Sequence, residues 1–161
     1  MEDSPTQPLK LVGLTARLFT RVVDRPLREL GFALSQVPVL GLLKEAGALS
    51  QAELARRVQV EQPSMAQLLN RMERDGLVCR VPDPADKRSR LISLTDGATQ
   101  KLPEGRAVLD DASRTALDGL SDDEQQQLAM LLRRVNANLE RAVGTDPTTM
   151  RESDTCCLGQ D

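Results

Sequence analysis

A predominantly helical chain with one small β-hairpin is the fold class the sequence predicts, and three observations carry it. Apolar residues recur at three- and four-residue steps, from Leu11, Leu14, Leu18 and Val22 near the start to Leu128, Leu131, Leu132, Val135 and Leu139 near the end. Two capping boxes, Ser50 with Glu53 and Ser121 with Glu124, mark helix starts. Only Phe19 and Phe32 are aromatic, so Leu, Val and Ala must fill the core, as suits helices packed on helices.

The first helix spans Leu9 to Leu30 and stops at Gly31; Pro26 bends it or restarts it, with Asp24 or Arg25 at the break. Ser35 is the expected N-cap of a second helix that runs to Ala46, with Pro38 in its first turn and Gly47 as its C-terminal cap. The Ser50 box starts a short third helix from Gln51 to about Val58. After the turn Gln59-Val60-Glu61, Pro63 marks the first turn of a fourth, which Gly76 ends. Leu77, Val78 and Val81, then a charged loop, then Leu91, Ile92 and Leu94 predict two short strands in a hairpin. Two further helices follow, roughly Ala98 to Leu120 and Asp122 to Val143, and Pro103 is expected to kink the first of them or reset its start. From Gly144 the chain is polar and aperiodic and is expected to fray as a flexible tail, 144–161.

Composition narrows the function. The 161-residue chain has no histidine, which removes the commonest general base, the commonest zinc ligand and the usual partner of a nucleophilic Ser or Cys. The carboxylates Asp110, Asp111, Asp122 and Asp123 form no acid/base or metal constellation, so no enzyme, cofactor or metal site is expected. No apolar run approaches the roughly 20 residues that span a bilayer, and the opening MEDSPTQP is acidic and polar, unlike a signal peptide; the expected location is cytoplasmic. The net charge of −3 is unevenly spread: residues 50–94 hold 8 Lys plus Arg against 6 Asp plus Glu, and residues 95–161 hold 7 against 13. A mildly basic middle on an acidic body is compatible with phosphate binding, which depends on local charge.

The fourth helix has two distinct faces. Met65, Leu68, Leu69 and Met72 line one, and Gln62, Ser64, Gln67, Asn70, Arg71 and Arg74 the other. A short helix, a tight turn, a second helix with a polar outer face and then a basic hairpin is the layout of a winged helix-turn-helix. Such a helix fits a major groove about 12 Å wide, where Asn and Gln pair with adenine and Arg with guanine. The candidate DNA contacts are Ser50 and Gln51, then Gln62, Pro63, Ser64, Gln67, Asn70 and Arg71, and in the wing Asp86, Lys87, Arg88 and Arg90. Lys87, Arg88 and Arg90 would follow the flanking backbone or enter the minor groove. Asp86 would repel phosphate, so its expected role is to hold Arg88 or a neighbouring cation by a charge-assisted bond.

The stretch Asp86-Lys87-Arg88-Ser89-Arg90-Leu91-Ile92-Ser93-Leu94-Thr95 resembles the D-x-R wing and L-T strand end of the MarR family. Glu61-Gln62-Pro63-Ser64-Met65 resembles the recognition-helix opening of its SlyA-like branch. The resemblance covers about residues 9 to 143, and departs from the family at Thr95-Asp96-Gly97, where the glycine falls one residue early. It implies a homodimer on a palindromic operator: a dimerisation helix in 1–34, a winged helix-turn-helix DNA-binding lobe in 35–95 and dimerisation helices in 96–143. The unpartnered apolar stripes of the terminal helices agree with a second chain as partner. It also implies a repressor released by a small aromatic or phenolic acid bound between the dimerisation helices and the lobe, with Arg17, Met72 and Arg80 as candidate ligand-binding residues. Met65 and Met72 read more readily as core, and Arg17 and Arg80 more readily as structural ion pairs.

Two alternatives stand beside this. Cys79, Cys156 and Cys157 are candidate redox or soft-metal sensors, although Cys79 reads as a small apolar residue of the first wing strand. The same helix could instead dock a protein partner.

Overall fold

The structure is a computed structural model that describes residues 7–86 and 88–144. The chain falls into two compact units, Met1–Ala116 and Leu117–Asp161. The first holds the helices α1 (Gln7–Glu29), α2 (Val37–Ala46), α3 (Gln51–Val58), α4 (Gln62–Arg74) and α5 (Asp96–Ala116), and the strands β1 (Ala48–Leu49), β2 (Val78–Pro82) and β3 (Arg90–Leu94). The mainly helical fold with a small hairpin wing is thus observed.

Helix α1 runs unbroken through Pro26, and no restart occurs at Asp24 or Arg25. The proline removes one hydrogen bond, that to the Val22 carbonyl; Val22 is exposed, so water can serve the released oxygen. Gly31, at φ 85°, closes the helix: its N–H donates to the Arg28 carbonyl at 2.9 Å, and the Phe32 N–H reaches the Leu27 carbonyl at 2.8 Å. Ser35 does not cap α2. It lies inside a 3-10 turn, Leu34–Gln36, and α2 begins without a side-chain cap; the buried Gln36 Oε1 accepts from the Ala33 N–H at 2.7 Å at the start of that turn, and its Nε2 donates to Asp75 Oδ2 at 3.4 Å. A long amide reaches both the turn and the end of α4, which a serine hydroxyl cannot.

The sheet has three antiparallel strands in the order β1-β3-β2. Val78 pairs with Leu94 and Pro82 with Arg90, and β1 adds Ala48 opposite Ser93 and Leu49 opposite Ile92. The sequence shows no sign of β1, because two residues carry no alternation; the Ser93 hydroxyl, donating to the Gly47 carbonyl at 3.0 Å, helps hold it.

Apolar residues of these elements share one core. Val23 and Leu27 of α1, Val39, Leu40 and Leu43 of α2, Leu54 of α3, Met65, Leu69 and Met72 of α4, Ile92 of β3 and Ala98 and Ala112 of α5 are all buried. Pro103 does not reset α5, which starts at Asp96. Thr95 sets that start: its Oγ1 accepts from the Ala98 N–H at 3.1 Å and donates to the Gly76 carbonyl at 2.7 Å. The early glycine, Gly97, therefore lies inside the helix.

The second unit contains α6 (Asp122–Gly144). Its capping box is complete: Glu124 Oε2 accepts from the Ser121 N–H at 2.8 Å, and Ser121 Oγ accepts from the Glu124 N–H at 3.4 Å. Bonds donated to that carboxylate by the Ser121 N–H, then by the Ser121 hydroxyl at 2.9 Å, hold the Glu124 carboxyl below its usual range. Of the predicted tail, 144–161, Gly144 is the last residue of α6, and 145–161, with Cys156 and Cys157, lie outside the described residues.

Candidate nucleic-acid interface

Three segments of the first unit carry the candidate contacts. At the start of α3, Ser50 Oγ accepts from the Glu53 N–H at 3.1 Å, one half of the expected box. The other half is missing because Glu53 turns to Arg56 and Arg57, at 2.7 and 2.6 Å. Hydrogen bonds from Arg56, then from Arg57, lower the Glu53 pKa from 4.5 to about 2, and Glu53 in turn raises that of Arg56. Gln51 Nε2 donates to Gln62 Oε1 at 3.3 Å, joining the first turn of α3 to that of α4.

Helix α4 divides as its sequence requires. Met65, Leu69 and Met72 face the core, and Gln62, Pro63, Ser64, Gln67, Asn70, Arg71 and Arg74 are exposed. Neither Arg71 nor Arg74 forms an ion pair among the described residues, since Glu73 is engaged by Arg80 at 3.2 Å. Gly76, at φ 69°, ends the helix: the Leu77 N–H bonds the Met72 carbonyl at 2.9 Å, which turns the chain into β2.

The loop between β2 and β3 is built on two aspartates. Asp83 Oδ1 accepts from the Ala85 N–H at 2.8 Å and Asp86 Oδ1 from the Arg88 N–H at 2.9 Å, while the Ser89 N–H returns to the Asp86 carbonyl at 2.9 Å. Asp86 thus meets Arg88 at its main-chain N–H, and the Arg88 guanidinium is left exposed. Arg90 is exposed as well, and Lys87 lies outside the described residues. Cys79 is half-buried in β2.

The three candidate ligand residues do not converge on the cavity this unit contains. Met72 is fully buried in the core, Arg17 lies exposed on α1, and Arg80 is bound by Glu73 and by Asn70. The cavity, of about 360 Å³, lies among α1, α2 and α5 and is lined by Leu27, Phe32, Leu40, Leu102 and Leu109, with Lys44, Glu45 and Arg106 among its polar lining. Sequence reasoning missed it because its walls come from three separated segments. It also passed over Arg56 and Arg57, whose signal was their spacing of three and four from Glu53.

The family model of the MarR family matches residues 30–89. Among solved structures, a transcriptional regulator is 36% identical over 82% of this chain and 97% of its own, at a TM-score of 0.65. A probable transcriptional regulator from Pseudomonas aeruginosa is 27% identical over 78% and 93%, at 0.70. A cysteine-to-serine variant of MarR from E. coli, crystallised with operator DNA, shares the fold at 24% identity over 83% and 99%, at 0.72. With its polar-faced helix α4, its three-stranded wing and these similarities, the chain belongs to the MarR family of winged-helix transcriptional regulators.

Proposed function

We propose that the chain binds a two-fold symmetric operator as a homodimer, acts as a repressor in the cytoplasm, and is released by a small aromatic or phenolic acid. The observation that carries the DNA reading is the exposed row Gln62, Ser64, Gln67, Asn70 and Arg71 on a helix whose other face is core, beside a wing that presents Arg88 and Arg90. Ser50 and Gln51, next to the first turn of α4, are positioned to add phosphate contacts. The relative crystallised with operator DNA supports the same partner.

The dimer reading rests on apolar surface. Leu11 at 57% and Val22 at 58% exposure on α1, and Leu139 at 53% on α6, need a cover that a second copy would supply, with the lobe of residues 35–95 left to read DNA. The effector reading rests on the cavity, whose aliphatic wall and Phe32 ring suit an aromatic body and whose Lys44 suits a carboxylate. A ligand that favours a lobe spacing mismatched to successive major grooves must weaken DNA binding by the same coupling.

Salt titration on operator fragments selected from genomic DNA tests the reading. Affinity is expected to fall steeply with salt through counterion release, and Arg88→Ala to reduce the slope by about one. A protein-docking module would show neither effect.

A further inference from the structure

We propose that Arg80 is a positioning residue for base readout: it holds the Asn70 carboxamide in one orientation on the exposed edge of α4 and so sets the base preference at one position of each operator half-site. The proposal rests on the DNA-binding reading above.

The two residues come from different elements. Asn70 and Glu73 lie three apart on α4 and share one edge of the helix. Arg80 sits in the middle of β2, opposite Ile92, where the strand ladder fixes its main chain. Its guanidinium meets both: Nε donates to Glu73 Oε2 at 3.2 Å, and Nη2 donates to Asn70 Oδ1 at 3.0 Å. Two bonds from one planar group define its plane, and an acid at one of them holds it there.

The chemistry of the pair then decides which way the amide points. A guanidinium has only donors, so the Asn70 atom that faces it must be oxygen. Nδ2 is thereby directed away from Arg80, and among the described residues no acceptor meets it. A free asparagine loses rotamer freedom on meeting a base, whereas one already held loses less, and that difference appears as discrimination between bases. Arg80 is poorly suited to act alone on phosphate, because Glu73 balances its charge. Both partners are about 40% exposed, so the network adds little to stability and its variants should fold.

The experiment measures binding of the full chain to duplexes with one half-site randomised, for wild type, Arg80→Met, Arg80→Lys, Asn70→Ala and the Arg80→Met/Asn70→Ala double variant. At one base pair per half-site, Arg80→Met should shrink the ratio of best to worst base by about tenfold, the order of one good amide–base contact, and leave the other positions unchanged. Arg80→Lys, with the charge but no fork, should lose the same preference. In the Asn70→Ala background Arg80→Met should add nothing. Equal weakening on every sequence would make Arg80 a phosphate contact, and an undiminished effect without Asn70 would make it act on its own; either overturns the proposal. A wild-type chain that selects no sequence would sink the DNA reading itself. A selected symmetric site whose preferences survive Arg80→Met would sink the positioning role alone.

Discussion

A Cβ on Gly105 would lie 3.1 Å from Cδ2 and Cε2 of Phe32, so α5 passes that ring more closely than side chains ordinarily pack. Both residues line the cavity among α1, α2 and α5, and the ring therefore has open space into which it can move. Gly105→Ala gains about 1 kcal/mol of helix propensity. It meets an overpacking cost of about 1 to 3 kcal/mol, at the low end because Phe32 can yield. The melting temperature is expected to change by a few degrees at most, while the displaced ring narrows the cavity. Calorimetry with and without benzoate checks this: wild type should be stabilised by the ligand and the variant less so. Equal stabilisation would put the ligand elsewhere.

Thr95 ties the end of α4 to the start of α5 through one hydroxyl, which donates to the Gly76 carbonyl and accepts from the Ala98 N–H. Thr95→Val keeps the shape and removes both bonds. A loss of about 1 to 2 kcal/mol is expected, a cap plus a half-buried hydrogen bond. Thr95→Ser, which retains the hydroxyl, should recover most of it in urea denaturation.

Asp86 shapes the wing tip through the Arg88 main chain. Asp86→Ala is therefore expected to leave global stability within about 0.5 kcal/mol of wild type, as for an exposed site. Operator affinity should nevertheless fall, because the loop no longer presents Arg88 in one place. Asp86→Asn keeps an acceptor oxygen and should bind like wild type. A deficit in the Asn variant equal to that in the Ala variant would mean that the negative charge matters, contrary to the geometry.

Glu53 gives the chain an acid-range signature. Its carboxyl titrates near 2 in the folded protein, held there by Arg56 and Arg57, against an ordinary 4.5. A lowered folded pKa means that its contribution is complete above 4.5 and is lost as pH falls towards 2. Glu53 is half-buried but both of its arginine partners are exposed, so the effect is modest and salt-sensitive. Melting temperature followed from pH 6 to pH 2.5 should fall less steeply for Glu53→Gln than for wild type; parallel curves would show that the pairs are screened out.

Local chemistry determined much of this protein from the sequence. The spacing of Met65, Leu69 and Met72 against Gln67, Asn70 and Arg71 sets the two faces of α4, Ser50 and Ser121 set two helix starts, and Gly31, Gly47 and Gly76 set three stops, because each of these effects acts within a few residues of chain. Only the tertiary structure decided what depends on distant segments. Strand β1 exists because β3 offers it a partner, Gln36 is buried where it ties the turn before α2 to Asp75, and the cavity is walled by Leu27, Leu40 and Leu109 from three helices. The partners of Arg80, Asn70 and Glu73, were decided for the same reason: a strand side chain takes its meaning from the helix that packs beside it, and the sequence alone does not bring the two together.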